Sequence, residues 1–444
     1  MFYSNTGDRA IKMSTVTLAG ANTIHTSPWS LRRVLTAGVI GNVLEWYDFA
    51  VYGFFAPILA EQFFPAGDHM VSLLAAFGAF AVGFLMRPVG AVLFGHIGDR
   101  YGRARALLIS VAMMAIPTVL MGLLPTYTTI GIAASLLIVI LRMFQGMAVG
   151  GEFTSSIVFL AEHAPPRRRG FFSSWAMFAA TTGTMLGAAV GAMLSNLLSP
   201  EDLVAWGWRA AFISGIAVAV VGIIVRWNMS DTPASVDRIS PVRLAFRQHR
   251  REVLRVFGLN MAPAATYYLL FVYAATWVAE SSAITRAQAL DITTLSILTF
   301  LLVAPIAAWV SDRYGRRLLL ITGMSACLLL AWPLVWLMHL GQPSLLAVGQ
   351  MIFAGLLSMY MATIPAAMCE MFPHQVRVSA VSVGYGLAYA LFGGTAPVVA
   401  VWLIGHTGNP MAFTWYIMGV TAISLAVACT IRDRYSAPLE NCNK

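Results

Sequence analysis

The stretch GHIGDRYGRARAL, Gly95–Leu107, has a close counterpart in AWVSDRYGRRLLL, Ala308–Leu320. Both contain the pentapeptide D-R-Y-G-R, whose aspartates, Asp99 and Asp312, are 213 positions apart. Each stretch lies between two long apolar segments, where a glycine allows a tight reversal of the chain. A motif of this length that recurs at such a distance indicates that the chain is built from two related halves.

A second pair of sequences recurs at nearly the same distance. AEHAPPRRRG ends the fourth apolar segment and CEMFPHQVRVSA ends the tenth, so that Glu162 aligns with Glu370 and Arg169 with Arg377, each 208 positions apart. Two independent matches at nearly one offset predict a duplicated unit of six helices. An even number of helices per unit makes the two copies parallel in topology. We expect Glu162 and Glu370 to be structural charges.

The composition identifies the class of protein in which these repeats occur. Of 444 residues, 59% are hydrophobic and 11% are charged, and the mean hydropathy is +0.75. A soluble chain is about one quarter charged, so the sequence predicts a membrane protein with many spans. The formal charge of +9 does not indicate nucleic-acid binding, because the arginines lie between apolar segments. The four cysteines show no CxxC spacing, and neither they nor the histidines predict a metal site or a disulfide framework.

The apolar segments predict an all-α integral membrane protein with twelve transmembrane helices in two parallel six-helix repeats. A helix needs about 20 apolar residues to cross a hydrocarbon core about 30 Å thick. The predicted spans are about 34–60, 72–96, 106–124, 130–161, 170–196, 209–228, 253–279, 288–310, 318–338, 344–370, 378–403 and 411–431. The domains that follow are a tail (1–33), an N-terminal bundle (34–228), a linker (229–252), a C-terminal bundle (253–431) and a tail (432–444).

The arginines predict the orientation of these spans. They are concentrated in every second connection, including the run Arg167–Arg169 and the predicted linker, and cytoplasmic loops carry such an excess. We therefore expect both termini to be cytoplasmic. Residues 1–33 show no secretory signal, and Met13 is a second candidate start.

The two D-R-Y-G-R loops are predicted to gate the cytoplasmic side. Their aspartates can accept hydrogen bonds from arginine or from a neighbouring helix N-terminus, where the helix dipole favours an anion. A contact of this kind can form in one conformation and break in another; the alternative is a plain hairpin whose arginines only set topology. The residues assigned to gating are Gly95, Asp99, Arg100, Gly102, Arg103, Asp312, Arg313, Gly315 and Arg316. No phosphate-binding G-x-x-x-x-G-K-[ST] motif occurs, which argues against an ATP-driven pump.

Three acids lie within predicted spans and are candidate proton carriers: Glu45, Asp48 and Glu152. A charge facing lipid is costly, so these side chains should face the bundle interior. Glu45 and Asp48 are three residues apart, which places them on one face of the first helix near the middle of the bilayer. Two neighbouring acids in a medium of low dielectric disfavour double ionisation, so one can take up and release a proton. The alternative is a structural charge cluster, which applies to Glu152 as well.

Two arginines and a polar face complete the predicted interior. Arg142 is assigned to an anionic substrate group, because its planar fork matches a carboxylate; an ion pair with Glu45 or Asp48 is the alternative. Gln145 can add a hydrogen bond, and Arg87 is expected to be structural. In the seventh span, polar-tipped side chains suit a small-molecule cavity or aromatic packing; these substrate-binding candidates are Asn260, Tyr267, Tyr268 and Tyr273.

Several motifs resemble the metabolite–proton symporter family of the major facilitator superfamily. They are GNVLEWYDFAVYGFF, FFP at 63–65, GFLMRPVGAVLFGHIGDRYGR, LRMFQGMAVGGEF, SSW at 173–175 and WGWR at 206–209. The resemblance is strong over about 38–232 and looser in the C-terminal half, where Ala308 replaces a frequent glycine. Members of that family carry citrate and other tricarboxylates, oxoglutarate and other dicarboxylates, shikimate, or proline and betaine.

The resemblance implies a secondary active transporter and not an enzyme. We expect proton-coupled symport of a small organic di- or tricarboxylate across the bacterial inner membrane by alternating access. The alternative is a proton-coupled proline/betaine-type osmolyte transporter of the same fold. The expected partners are the carboxylate or zwitterion, the proton and the lipid bilayer. No cofactor, catalytic residue, metal or nucleic acid is expected, and the protein is expected to be a monomer.

Overall fold

The computed structural model describes residues 42–43, 45–101, 103–149, 152–165, 167–217, 220, 247–437 and 439, without the side chains of 95, 96, 98–101 and 103–108. Within these ranges the regular structure is helical and no strand occurs.

Helices lie at all twelve predicted spans, and we number them in chain order. They are α1 (45–54 continued by Ala56–Phe63), α2 (His69–Phe94), α3 (Arg103–Leu123), α4 (Ile132–Glu162), α5 (Arg169–Leu197), α6 (Trp208–Ile213), α7 (Arg250–Ser281), α8 (Arg286–Tyr314), α9 (Arg316–His339), α10 (Pro343–Cys369), α11 (His374–Thr407) and α12 (Phe413–Cys429). The predicted first and sixth spans lie only partly within the described residues.

Eight of the described helices are long and apolar enough to cross a membrane, and Ile109–Leu123 and Phe413–Cys429 are shorter apolar helices. Their outer faces are apolar. On α8, Leu302, Ile306 and Trp309 are exposed, whereas Ala304 and Ala308 are buried against the rest of the protein. One face of α8 thus presents large apolar side chains outward while the other packs against the protein, as expected for a helix with one side in lipid.

The helices of the N-terminal half cross closely where glycines permit it. Gly146 of α4 lies against Gly83 of α2, and a Cβ at Gly146 would overlap the carbonyl oxygen of Gly83. This contact brings the polar residues of α4 against the aromatic side chains of α2.

The two halves meet along an interface that we call the seam, in which α5 packs beside α8. At one end, which we call the basic end because it holds Arg169, Arg316 and Arg377, the two halves are joined by ion pairs. At the opposite end, Nε2 of His69 lies 3.1 Å from Oε1 of Glu280, and Asn196 donates a hydrogen bond of 3.2 Å to Asp291. The halves are therefore in contact at both ends of the seam.

Candidate functional site

Asp48 is the first member of a buried hydrogen-bonded chain that crosses three helices. Thr118 Oγ1 of α3 donates to Oδ2 of Asp48 at 2.8 Å. Gln145 Nε2 of α4 donates to Thr118 Oγ1 at 2.7 Å, and Arg142 donates to Gln145 Oε1 at 2.8 Å. Among the predicted residues, the structure brings Asp48, Gln145 and Arg142 together; Thr118, the link between them, was not predicted.

Arg142 is fully buried within the N-terminal half. Its guanidinium lies 4.2 Å from the ring centroid of Tyr52, 4.6 Å from that of Phe49 and 5.3 Å from that of Phe80. Such cation–π contacts stabilise a desolvated guanidinium. These aromatic contacts and the hydrogen bond to Gln145 all lie within the N-terminal half, and Tyr268 of the C-terminal half is within electrostatic range of Arg142.

Arg87 occupies a different position, beside the seam. Its guanidinium lies 4.0 Å from the ring centroid of Phe84, 4.8 Å from that of Phe49 and 5.9 Å from that of Trp46. Its buried Nε has no hydrogen-bond partner among the described residues. Phe84 and Trp46 in turn pack against Tyr268 of the C-terminal half, with centroid distances of 5.0 and 6.1 Å. Arg87 is thus a buried cation with unused hydrogen-bonding capacity at the junction of the two halves.

The four polar residues predicted on α7 have different surroundings. Tyr267 donates a hydrogen bond of 2.8 Å to Thr184 of α5, which crosses the seam. Asn260 donates 2.7 Å to the carbonyl of Val256 and is satisfied inside the C-terminal half. Tyr268 and Tyr273 are held by aromatic neighbours on both sides of the seam; the ring of Tyr273, for example, lies 5.8 Å from that of Phe77.

A group of aromatic side chains at the seam includes residues that were not predicted. Tyr385 and Tyr389 of α11 stack at 4.1 Å, and Tyr389 lies 6.4 Å from Tyr268. Phe153 of α4 joins Tyr385 to the N-terminal half at 5.1 Å. The signal available in the sequence was the spacing of four residues, which places Tyr385 and Tyr389 on one face of α11. Aromatic residues in an apolar helix usually indicate only packing, so this spacing alone does not predict a site.

The remaining acidic candidates are less central. Glu45 is 6% exposed and lies within electrostatic range of Tyr268. Glu152 is half-buried at the start of the second part of α4, and its carbonyl accepts a hydrogen bond from Ser156. No group of histidine, cysteine, aspartate and glutamate that could hold a metal ion occurs within the residues that the structure describes.

At the basic end, Asp312 binds the N-terminus of a helix from the other half. Its two carboxylate oxygens accept hydrogen bonds of 2.8 Å from the backbone N–H groups of Gly170 and Phe171, which begin α5. Arg316, one turn later in the chain, contacts the same carboxylate at 2.7 Å. These are the two kinds of partner that the sequence predicts for the D-R-Y-G-R aspartate, an arginine and a helix N-terminus.

Two further ion pairs at the basic end link the halves reciprocally. Glu162 of the N-terminal half contacts Arg377 at 2.5 Å, and Arg169 of the N-terminal half contacts Glu370 at 3.3 Å. Because Glu162 aligns with Glu370 and Arg169 with Arg377, each acid pairs with the arginine of the other repeat. Arg316 also reaches Glu370, at 3.1 Å.

The rest of the predicted gate is only partly described. Gly315 adopts a φ of +103°, which suits glycine, and the Asp433 carboxylate beside it accepts from the N–H of Arg316 at 3.1 Å. Arg313 is exposed and lies over Trp309. In the first loop, the side chains of Asp99, Arg100 and Arg103 and the surroundings of Gly95 and Gly102 lie outside the described residues.

Comparison with known proteins agrees with this architecture. Residues 34–239 match a family model described as "Sugar (and other) transporter", and residues 255–441 match "Major Facilitator Superfamily". A crystal structure of a D-xylose–proton symporter superposes with a TM-score of 0.72 at 18% identity, over 93% of this chain and 99% of that one. This similarity establishes the fold, and it confirms the predicted fold class.

Several curated proteins are similar over most of their length. A proline/betaine transporter of Salmonella typhimurium is 33% identical over 92% of this chain and 85% of its own length. A citrate–proton symporter of Klebsiella pneumoniae is 33% identical, with coverages of 90% and 91%. An α-ketoglutarate permease of Escherichia coli is 32% identical, with coverages of 95% and 98%.

Proposed function

Because this chain belongs to the metabolite–proton symporter family of the major facilitator superfamily, we propose that it imports a small carboxylate-bearing solute together with a proton. It is a transporter and not an enzyme. Its site lies in the bacterial inner membrane, with both termini and the basic end on the cytoplasmic side, and it works as a monomer. The observation that carries the proposal is the buried chain that links Asp48 to Arg142.

Asp48 is the proposed proton carrier, because its hydrogen-bond partner serves both protonation states. When Asp48 is ionised, the Thr118 hydroxyl donates to it, as in the 2.8 Å contact. When Asp48 is protonated, the same hydroxyl can accept from the carboxylic acid and donate to the carbonyl of Met114, 2.9 Å away. A hydroxyl has one donor and two acceptor sites, so neither state leaves a buried group unsatisfied.

In this scheme Arg142 responds to the protonation state of Asp48, and Arg87 binds the substrate carboxylate. Arg142 is joined to Asp48 through Gln145 and Thr118 and is enclosed by aromatic rings of its own half. Both arginines have buried guanidinium nitrogens without a hydrogen-bond partner among the described residues, Nε of Arg87 and Nε and Nη2 of Arg142, and the position of Arg87 beside the seam favours it as the substrate contact. These roles reverse the preference drawn from the sequence, where Arg142 was assigned to the substrate and Arg87 to structure.

The contacts at both ends of the seam support an alternating-access cycle. Breaking the ion pairs at the basic end would open the site to the cytoplasm, and breaking the His69–Glu280 and Asn196–Asp291 contacts would open the opposite end. Glu45 and Glu152 are secondary proton carriers in this scheme, and Tyr267 and Tyr268 line the path at the seam. Asn260 and Tyr273 support the fold around it.

Two substrate classes fit this scheme. A di- or tricarboxylate agrees with the similarity to the citrate and α-ketoglutarate transporters, and a zwitterion such as proline or betaine agrees with the similarity to the proline/betaine transporter. Both classes present a carboxylate to Arg87. They differ in the charge that the remainder of the site must accept.

Uptake into proteoliposomes tests the proposal. Purified protein should accumulate its substrate when an inward proton gradient is imposed. Asp48→Asn should abolish that accumulation while preserving exchange of labelled for unlabelled substrate, because the neutral amide mimics the protonated acid. Asp68→Asn is the matched control, since Asp68 is exposed and only caps the first turn of α2. If Asp48→Asn still accumulates substrate against a gradient, Asp48 is not the carrier.

A further inference from the structure

Five aromatic side chains at the seam form a closed circuit, which we call the seam ring. Consecutive ring centroids are separated by 5.7 Å from Trp46 to Phe153, 5.1 Å from Phe153 to Tyr385, 4.1 Å from Tyr385 to Tyr389, 6.4 Å from Tyr389 to Tyr268 and 6.1 Å from Tyr268 back to Trp46. All five are at most 4% exposed. Two come from the N-terminal half and three from the C-terminal half.

The polar atoms on this ring are not used by the fold. The indole Nε1 of Trp46 and the hydroxyl of Tyr268 are buried and have no hydrogen-bond partner among the described residues. The same holds for Nε of Arg87, whose guanidinium lies 5.9 Å from the Trp46 ring. A buried polar group without a partner is destabilising, so such groups are normally paired. Three of them lie on or beside one ring, an arrangement expected where a ligand supplies the missing partners.

The helices of the C-terminal half are locally irregular at the ring. A π-helical turn follows Tyr268 in α7, at Leu269–Tyr273, and another begins at Tyr389 in α11, at Tyr389–Gly393. Such turns are rare and frequently mark functional sites in helices. Tyr268 and Tyr389, which the C-terminal half contributes to the ring, therefore lie next to or within turns where the regular hydrogen-bonding pattern of the helix is altered.

We propose that the seam ring holds an alkylated ammonium group of the substrate while Arg87 holds its carboxylate, so that the preferred substrate is a compact zwitterion. This inference rests on the proposed function and selects one of its two substrate classes. Aromatic faces within about 6 Å of a cation attract it through the ring quadrupole, and quaternary ammonium ions are bound in cages of this kind. The Trp46 and Tyr268 polar atoms provide donors for the carboxylate beside Arg87.

The local charges favour a zwitterion over a tricarboxylate. The charged groups near the ring are Arg87, Glu45 and Arg142, all within electrostatic range of Tyr268, and Asp48, which interacts with Arg142. Two cations and two acids balance each other, and a neutral zwitterion leaves that balance unchanged. A tricarboxylate would bring up to three negative charges into a medium of low dielectric where each arginine is already balanced by an acid, which is costly without further cations.

Substrate binding at the seam ring also favours the closed state of the protein, in which the two halves are in contact. Trp46 and Phe153 move with the N-terminal half and Tyr268, Tyr385 and Tyr389 move with the C-terminal half. The cage is complete only when the two halves are in contact. An ammonium group that prefers the complete cage therefore stabilises the closed state in proportion to that preference.

The test compares N,N,N-trimethylglycine with 3,3-dimethylbutyrate, which replaces the quaternary nitrogen by carbon and so keeps the shape and the carboxylate without the positive charge. Both are used as competitors, and trimethylglycine and citrate as labelled substrates, in proteoliposomes with an imposed proton gradient. Trimethylglycine should be accumulated, and the carbon isostere should compete at least about tenfold less well, given the strength of a desolvated cation–π contact. Equal competition by the isostere would overturn the proposal.

Two substitutions at Tyr389 test whether the preference for trimethylglycine over its carbon isostere depends on the seam ring. Tyr389→Leu removes an aromatic face and should reduce the preference for trimethylglycine over the isostere, whereas Tyr389→Phe should keep it. Trp402→Leu, at an exposed position of the same helix, is the matched control for expression and folding. An undiminished preference in Tyr389→Leu contradicts the cage.

The outcomes separate this inference from the proposed function. If a proton gradient drives accumulation of citrate but not of trimethylglycine, the symporter proposal stands and the preference for a zwitterion is refuted. Transport that ignores the proton gradient for every substrate refutes the symporter proposal itself.

Discussion

Replacing Asp312 by asparagine should open the basic end. The carboxylate accepts hydrogen bonds of 2.8 Å from two N–H groups in the first turn of α5 and contacts Arg316 at 2.7 Å. Asparagine retains one acceptor oxygen and turns an N–H group toward a backbone N–H. It also removes the negative charge from a helix N-terminus, where an anion is stabilised by the dipole.

The size of the effect follows from these contacts. A hydrogen bond to a charged group contributes about 1.5–3 kcal/mol, and the substitution loses one such bond and weakens a second. We therefore expect the closed basic end to be destabilised by about 2–4 kcal/mol relative to the open one. At about 1.4 kcal/mol per factor of ten, the closed-to-open ratio should fall roughly 30-fold to 700-fold.

Pulsed electron paramagnetic resonance can measure this change. Spin labels are attached at Arg168 and Gln375, which are exposed and lie on different halves at the basic end. The four native cysteines are first replaced, so that the measured distance reports the separation of the two halves. Asp312→Asn should add a population with longer distances. The matched control is Asp291→Asn, because Asp291 lies on the same helix at the opposite end of the seam and bonds to Asn196.

The control should not lengthen the distance at the basic end. If the distance distribution of Asp312→Asn coincides with that of the unsubstituted protein, the contact between Asp312 and α5 does not hold this end closed.

Two further substitutions address packing and coupling. Gly146→Ala places a methyl group against a backbone carbonyl of α2 and should destabilise the protein by about 1–3 kcal/mol through overpacking. A fall in the thermal midpoint on size exclusion checks this, with Gly355→Ala, whose added methyl meets no atom within 4 Å, as control. Thr118→Val keeps the shape but removes the hydroxyl beside Asp48, so the pH profile of uptake should shift while Thr118→Ser preserves it; an unshifted profile in the valine variant would refute the role of the hydroxyl.

The contacts of the second D-R-Y-G-R loop were largely predictable from the sequence because their signals are local, whereas the gating role of the two loops stays a prediction. Glycine, arginine and aspartate at the end of an apolar segment mark a helix end, and their repetition at one offset predicts matching positions in two halves. The predicted partners of Asp312 are present for this reason. The helix limits follow from the same signals; α7, for example, begins at Arg250, three residues before the predicted start of its span.

The interior of the site was less predictable because the facing partners are distant in sequence. Hydropathy places Arg87 and Arg142 inside the bundle but does not say which of them meets the other half. That depends on the crossing of α2 and α4, which sets Arg142 against Tyr52 and Phe80. Tyr389, more than 300 residues from Arg87, joins the proposed site from a helix whose sequence indicates only ordinary packing.

Because of the reciprocal ion pairs, the two repeats of this single chain depend on each other as the subunits of a heterodimer do. Each repeat supplies one acid and one arginine, and each of these finds its counter-charge in the other repeat. Arg377 is 1% exposed and its acid, Glu162, belongs to the other repeat, so a C-terminal repeat separated from its partner would hold this guanidinium without its counter-charge, which is strongly unfavourable. Glu370 would keep Arg316 of its own repeat but lose Arg169. Duplication has therefore produced mutual dependence, and the covalent connection between the repeats keeps each at high effective concentration for the other.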